Sequence, residues 1–111
     1  MLYNLLMNTN DAILGMTQQI VGQFNPSRII LFGSQARGDE DPNSDVDLLV
    51  VLPEVTNKRK IAIEIRRSLS EFNIPKDILV STPDEISKRG HLIGTLLHTA
   101  LSEGKKIYEQ P

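Results

Sequence analysis

Two aspartates one residue apart, Asp45 and Asp47, stand at the head of the apolar run Leu48-Leu49-Val50-Val51-Leu52. A second apolar run, Arg28-Ile29-Ile30-Leu31-Phe32, ends on Gly33-Ser34. Side chains at i and i+2 of a strand leave the same face, so both carboxylates share one side while Val46 takes the other. Unpaired charge beside buried surface is costly, and a cation such as a metal ion offsets it. The Gly-Ser turn offers free backbone N–H groups, a hydroxyl and close chain approach, which suit phosphate. Together the stretch reads as a metal-dependent nucleotide site.

This pattern dictates a topology. The Gly33-Ser34 turn lies at the C-terminal end of its strand, whereas Asp45 and Asp47 lie at the N-terminal end of theirs. They meet only if those strands run antiparallel. A third acid, Asp77, begins the run Asp77-Ile78-Leu79-Val80-Ser81. It joins the other two only if its strand runs parallel to the second, with a helix over residues 57–72 as the crossover. The expected fold is therefore α+β, a mixed sheet of three to four strands with helices packed on it.

The remaining elements follow from periodicity and punctuation. Ile13, Met16, Ile20, Val21 and Phe24 form one apolar stripe, predicting a helix capped at Thr9 or Asn10 and ended by Asn25-Pro26-Ser27. Gln35 to Arg37 is short enough for a turn or two of helix, and residues 38–43 read as a loop. The strand from Asp45 to Leu52 is nearly continuously apolar after its acids, as a strand covered on both faces would be. Within 57–72, Ile61, Ile65, Leu69 and Phe72 face inward, leaving Lys58, Arg59, Lys60, Arg66 and Arg67 mostly outward, as a solvated face or a landing surface for an acidic partner. Thr82-Pro83-Asp84-Glu85 has the form of a capping box. A last helix is expected over 91–102, with Gly104 stopping it and Lys106-Ile107-Tyr108 adding an edge strand.

With 111 residues and no internal repeat or linker, the chain reads as one domain over 1–111. The absence of cysteine excludes disulfides and thiolate zinc sites. A net charge of −2 argues against direct nucleic-acid binding. Met1 to Met7 is apolar but lacks a basic leader, so a packed helical turn and a cytoplasmic location are expected, with no membrane association. His91 and His98, seven apart on the expected last helix, lack a third ligand for zinc. No Gly-Lys-Ser/Thr follows a glycine at the spacing of a Walker loop.

Individual residues keep two readings. Ser34 is a phosphate ligand or an ordinary helix cap. Arg37, three residues on, neutralises phosphate or pairs with a nearby acid such as Asp45. Asp77 is the base that takes a proton from an attacking hydroxyl, or a strand-start acid paired with Lys76.

Gly33-Ser34-x-Ala36-Arg37-Gly38 followed by Ser44-Asp45-x-Asp47-Leu48 resembles the signature of the DNA polymerase beta-like nucleotidyltransferases, with ten residues between Ser34 and Asp45. The similarity is greatest to the minimal nucleotidyltransferase (MNT) domains. The resemblance implies transfer of a nucleoside monophosphate from a triphosphate to a hydroxyl, with Gly33 and Ser34 on the triphosphate, Asp45 and Asp47 on Mg²⁺, and Asp77 completing the triad. It implies a helical HEPN-type toxin as partner, and an antitoxin that moves AMP from ATP onto a toxin tyrosine. Larger relatives hold the acceptor with a second domain, so here a partner is expected to supply that surface. Two other readings stand beside it: an antitoxin that neutralises by contact with a vestigial site, and a small-molecule nucleotidyltransferase working as an oligomer.

Overall fold

The structure, a computed structural model, describes residues 8–38 and 45–111. The expectations for residues 1–7, for the loop beyond Gly38 and for Ser44 of the motif lie outside the described residues. Among the described residues nine elements follow in order: α1 (Thr9–Phe24), β1 (Arg28–Phe32), α2 (Ser34–Arg37), β2 (Val46–Val51), α3 (Lys58–Ser68), β3 (Lys76–Ser81), α4 (Pro83–Arg89), α5 (Leu96–Glu103) and β4 (Lys105–Glu109).

The strands form one sheet in the order β3-β2-β1-β4. β1 runs antiparallel to β2, with Phe32 opposite Asp47, and β2 runs parallel to β3, with Asp47 opposite Asp77. The mixed sheet required by the position of the acids is therefore the one formed, and α3 is its crossover. β4 pairs antiparallel with β1 at the other edge, through a register shift at Ile29/Ile30.

Alternation along the central strands divides the core into two layers. Ile29, Leu31, Val46, Leu48 and Val50 meet Met16 and Ile20 of α1 and Ile65 of α3. Ile30, Phe32, Leu49 and Val51 turn the other way, against Ala100, Leu97 and Leu101 of α5 and Ile86 of α4. β2 is thus covered on both faces, as its unbroken apolar run predicts. On the first layer, the Gln19 side-chain amide donates to the Ser68 carbonyl, and Gly15 lets the Phe72 ring come within contact of α1.

Several boundaries differ from the sequence expectation. The α1 cap is Asn8, whose side chain accepts from the Asp11 N–H at 2.8 Å. Any of the successive polar residues 8–11 is competent to cap, and the hydrogen bond selects the first. Asn25 ends the helix in a left-handed conformation, φ 50°. α3 stops at Ser68 instead of reaching Phe72, because the Leu69 and Ser70 N–H groups turn back three residues to Arg66 and Arg67. Phe72 is nevertheless buried. β2 begins at Val46 and ends at Val51, one residue inside the expected run at each end.

The largest correction concerns the last helix. It begins at Leu96, capped by the Thr95 hydroxyl on the His98 N–H at 3.1 Å, and not at His91. Gly94, at φ 94°, turns the chain immediately before. Ile93 and Leu96, expected on the buried stripe, are instead 88% and 58% exposed. His91 is consequently outside the helix, and the two histidines do not share a helical face. His98 Nδ1 lies 3.0 Å from the Gly90 carbonyl.

The α4 cap forms as expected: the Thr82 hydroxyl accepts from the Glu85 N–H at 3.1 Å, and Pro83 takes the first helical position. The Glu85 carboxylate turns instead to the buried Ser81 hydroxyl, which donates to it at 2.6 Å, and to Lys58 Nζ. This knot joins the end of β3 to the starts of α3 and α4. Among the described residues no helix is long and apolar enough to cross a membrane.

Candidate active site

The candidate residues gather at one end of the sheet, on the α5 side. β1 delivers Gly33 at its C-terminus, and the antiparallel ladder brings Asp47 alongside Phe32. The Gly33 backbone, at φ 74° and ψ −156°, occupies a region open essentially to glycine. Its missing side chain also has a steric reason, since a β-carbon there would overlap Asp47 Oδ2.

α2 then makes a single turn. The Ala36 and Arg37 N–H groups donate to the Gly33 carbonyl at 3.1 and 3.2 Å, and Gly38 closes the turn in a left-handed conformation, φ 77°. Ser34 is half-buried at its first position. Ala36 is buried and anchors the turn on the sheet, while Arg37 is exposed. The Arg37 charge nevertheless reaches Asp47 and favours its ionised form.

Asp47 and Asp77 stand abreast on parallel strands and point to the face shared by Leu49 and Leu79. Asp47 is half-buried and Asp77 exposed. The Asp47 carboxyl is raised above its ordinary range, first by burial, then by the charges of Asp77 and Asp45, with Arg37 opposing. Asp45 precedes the first β2 residue and is exposed. It acts on Asp47 through its charge but lies beyond the ladder. Among the described residues no three His, Cys, Asp or Glu side chains converge tightly enough to form a metal-binding group. The donor set still has the character a hard cation requires, carboxylates crowded together against their own repulsion.

Phe32, Gly33, Asp47 and Asp77 border a cleft of about 410 Å³ whose opposite wall is Leu96 and Thr99 of α5. Sequence reasoning missed that wall. The signal was present in Gly94-Thr95, a turn glycine followed by a capping threonine, which places Leu96 in the first turn of a helix. The basic side chains of α3, Lys58, Arg59, Lys60, Arg66 and Arg67, are exposed. They lie on the helix that packs against the other layer of the sheet.

The family model for the nucleotidyltransferase domain matches residues 15–106. A Methanocaldococcus jannaschii protein, provisionally named as a protein adenylyltransferase, is 44% identical over 57 residues, covering 49% of this chain. The match spans 54% of that relative, so the chain accounts for about half the length of the curated protein it resembles. Among solved structures, a provisionally assigned nucleotidyltransferase from Sulfolobus solfataricus superposes with a TM-score of 0.59 at 18% identity, covering 89% of this chain and 78% of that one. A chain from a toxin–antitoxin crystal structure with AMP-PNP superposes with a TM-score of 0.50 at 16% identity, covering 92% and 74%. At these identities the two structures establish the shared fold.

Proposed function

The chain belongs to the nucleotidyltransferase domain family, and on that premise we propose that it transfers AMP from ATP to a hydroxyl of a partner protein. The partner we propose is a HEPN-type toxin, the acceptor a tyrosine, and the role of this chain that of antitoxin. The observation that carries the reading is the packing of the Gly33 turn on the Asp47 carboxylate with Asp77 beside it. In this reading the Gly33 turn is the phosphate holder, and it shares its position with the acid pair. The adenylyltransferase name of the M. jannaschii relative and the toxin–antitoxin neighbour with AMP-PNP support it.

In this reading the backbone at Gly33 and Ser34 holds the triphosphate, and Arg37 neutralises part of its charge. Asp77 accepts the proton of the attacking hydroxyl, whose oxygen bonds to the α-phosphorus as the bond to the β-phosphate oxygen breaks. Pyrophosphate leaves, and the acceptor keeps AMP. Mg²⁺ would be held by Asp45 and Asp47, with Asp77 adjacent, and would supply positive charge to the triphosphate and leaving group.

The test is intact-mass spectrometry of a co-expressed partner before and after incubation with ATP and Mg²⁺. A gain of one or more AMP units, absent with Asp47→Asn, supports the reading; a stable partner that never gains mass refutes it. The second reading, an antitoxin acting by contact alone, is favoured by the position of Asp45 outside the strand ladder. Neutralisation retained in an Asp45→Asn/Asp47→Asn double variant would establish that second reading.

A further inference from the structure

The 11 residues of α3 hold five of the chain's 12 Lys and Arg but one of its 14 Asp and Glu. The fold does not call for this charge. The free N–H groups of a first helical turn favour acids and oppose cations. Yet α3 opens on Lys58, Arg59 and Lys60 with no acid in its first turn. Lys58 is answered by Glu85. Among the described residues no carboxylate comes within ion-pair distance of Arg59, Lys60, Arg66 or Arg67, Glu64 one turn from Lys60 included. At the far end of the helix the cations crowd one another. Burial, and then the Arg66 charge, hold the Lys76 ammonium below its ordinary range.

Helical spacing gathers these charges on one face. Ile61, Ile65 and Leu69 turn to the sheet. Arg59, Ile63, Arg66 and Arg67 follow at steps of three and four on the side away from it, and all are exposed. Ile63, 43% exposed, is the middle of this face, with Arg59 one turn before it and Arg66 and Arg67 one turn after. An apolar centre within a charged rim is the anatomy of a protein–protein contact. Arg59 and Arg66 are two turns apart, about 10 Å along the axis, a span that carboxylates two turns apart on a second helix match. A nucleic-acid backbone fits less well. It would run beyond one short helix onto a chain whose remaining charge is acidic, and α3 carries no aromatic side chain for a base to stack on.

We propose that the outer face of α3, formed by Arg59, Ile63, Arg66 and Arg67, docks an acidic helix of a partner protein. An apolar side chain of that helix sits on Ile63, and its carboxylates meet the arginines on either side. The face belongs to the layer of the sheet opposite the cleft, so a partner bound there leaves the Asp47 and Asp77 side open. The surface stands whether or not the cleft transfers AMP.

The experiment uses a fluorescein-labelled helical peptide with one exposed leucine bracketed by glutamates one turn before and after it. The comparison probes are the same peptide with serine for leucine, and an oligothymidylate of matched charge. Binding is read by anisotropy, with circular dichroism to confirm that each variant is folded. The leucine peptide should bind more tightly than either comparison probe. Arg59→Glu/Arg66→Glu should weaken it about tenfold. Lys88→Glu/Lys105→Glu makes the same change in net charge at exposed lysines elsewhere and should bind as wild type does. Ile63→Ser, which leaves every charge in place, should remove the preference for leucine over serine. Equal weakening in the two charge-reversed variants overturns the proposal, because net charge alone would then explain binding. No binding of the leucine peptide overturns it, as does an unchanged leucine preference in Ile63→Ser. Tighter binding of the oligothymidylate also overturns it and makes the face a nucleic-acid surface.

Discussion

The α-carbon of Gly33 rests against the carboxylate of Asp47, so closely that a β-carbon at position 33 would overlap Oδ2 and stand 3.2 Å from Cγ. Two requirements coincide on one residue, a backbone conformation that excludes side chains and a neighbour that leaves no room for one. Gly33→Ala should therefore cost about 1–3 kcal/mol in stability and displace the acid. Thermal unfolding should show the loss, and any nucleotidyl transfer should fall with it. An alanine variant with wild-type Tm would show that the turn is not constrained in this way.

Asp47 carries a second prediction. Its carboxyl is raised in the fold, so its contribution to stability is fully present below the unfolded value and is lost as pH rises through the folded one. At neutral pH the ionised side chain therefore works against folding. Asp47→Asn should unfold at or above the wild-type temperature in the absence of divalent ions while abolishing transfer. Adding Mg²⁺ should raise the wild-type Tm and leave that of the variant unchanged. A variant that is markedly less stable in metal-free buffer would contradict this.

The Glu85 knot has the opposite sign. Its carboxyl is lowered by the hydrogen bonds from Lys58 and Ser81. That stabilisation is present above the unfolded carboxylate value and is lost as pH falls through the folded one. Glu85→Gln should be less stable than wild type at neutral pH, and the difference should shrink on acidification. Ser81→Ala, which removes a buried donor, should cost about 1 kcal/mol at neutral pH. Chemical denaturation across the acid range checks both.

Ile65 couples the core to the site. It is fully buried on the α3 face that meets β2 and the rest of the first layer. Ile65→Ala should cost about 2–5 kcal/mol. The activity remaining at a temperature where the variant is still mostly folded should also fall, because α3 is the crossover that delivers β3. Full specific activity in the folded fraction would uncouple the two.

The sheet was legible because a few charged residues carried its topology. Asp45, Asp47 and Asp77 head their strands and Gly33-Ser34 ends its own, and only a mixed sheet lets them meet. What stayed hidden was decided by choices among equals. Asn8, Thr9 and Asn10 can each cap a helix, and only tertiary geometry chooses among them. Ile93 has the polarity of a core residue, and only the Gly94 turn puts it outside. The cleft wall at Leu96 was missed for that reason, since a helix begun at His91 would have buried it. Gly33 was read for close approach to phosphate; the Asp47 carboxylate, also pressed against it, comes from a strand fourteen positions away.

β3 is an edge strand, held on one side by β2 and covered by the crossover helix. Edge strands open at lower free energy than the sheet behind them. Because Asp77 rides on this strand and Asp47 on its neighbour, fraying of β3 alone would part the two acids while β1, β2 and β4 stayed paired. Catalytic competence would then report the closure of a single seam, and would be lost on mild heating well before the molecule as a whole melts.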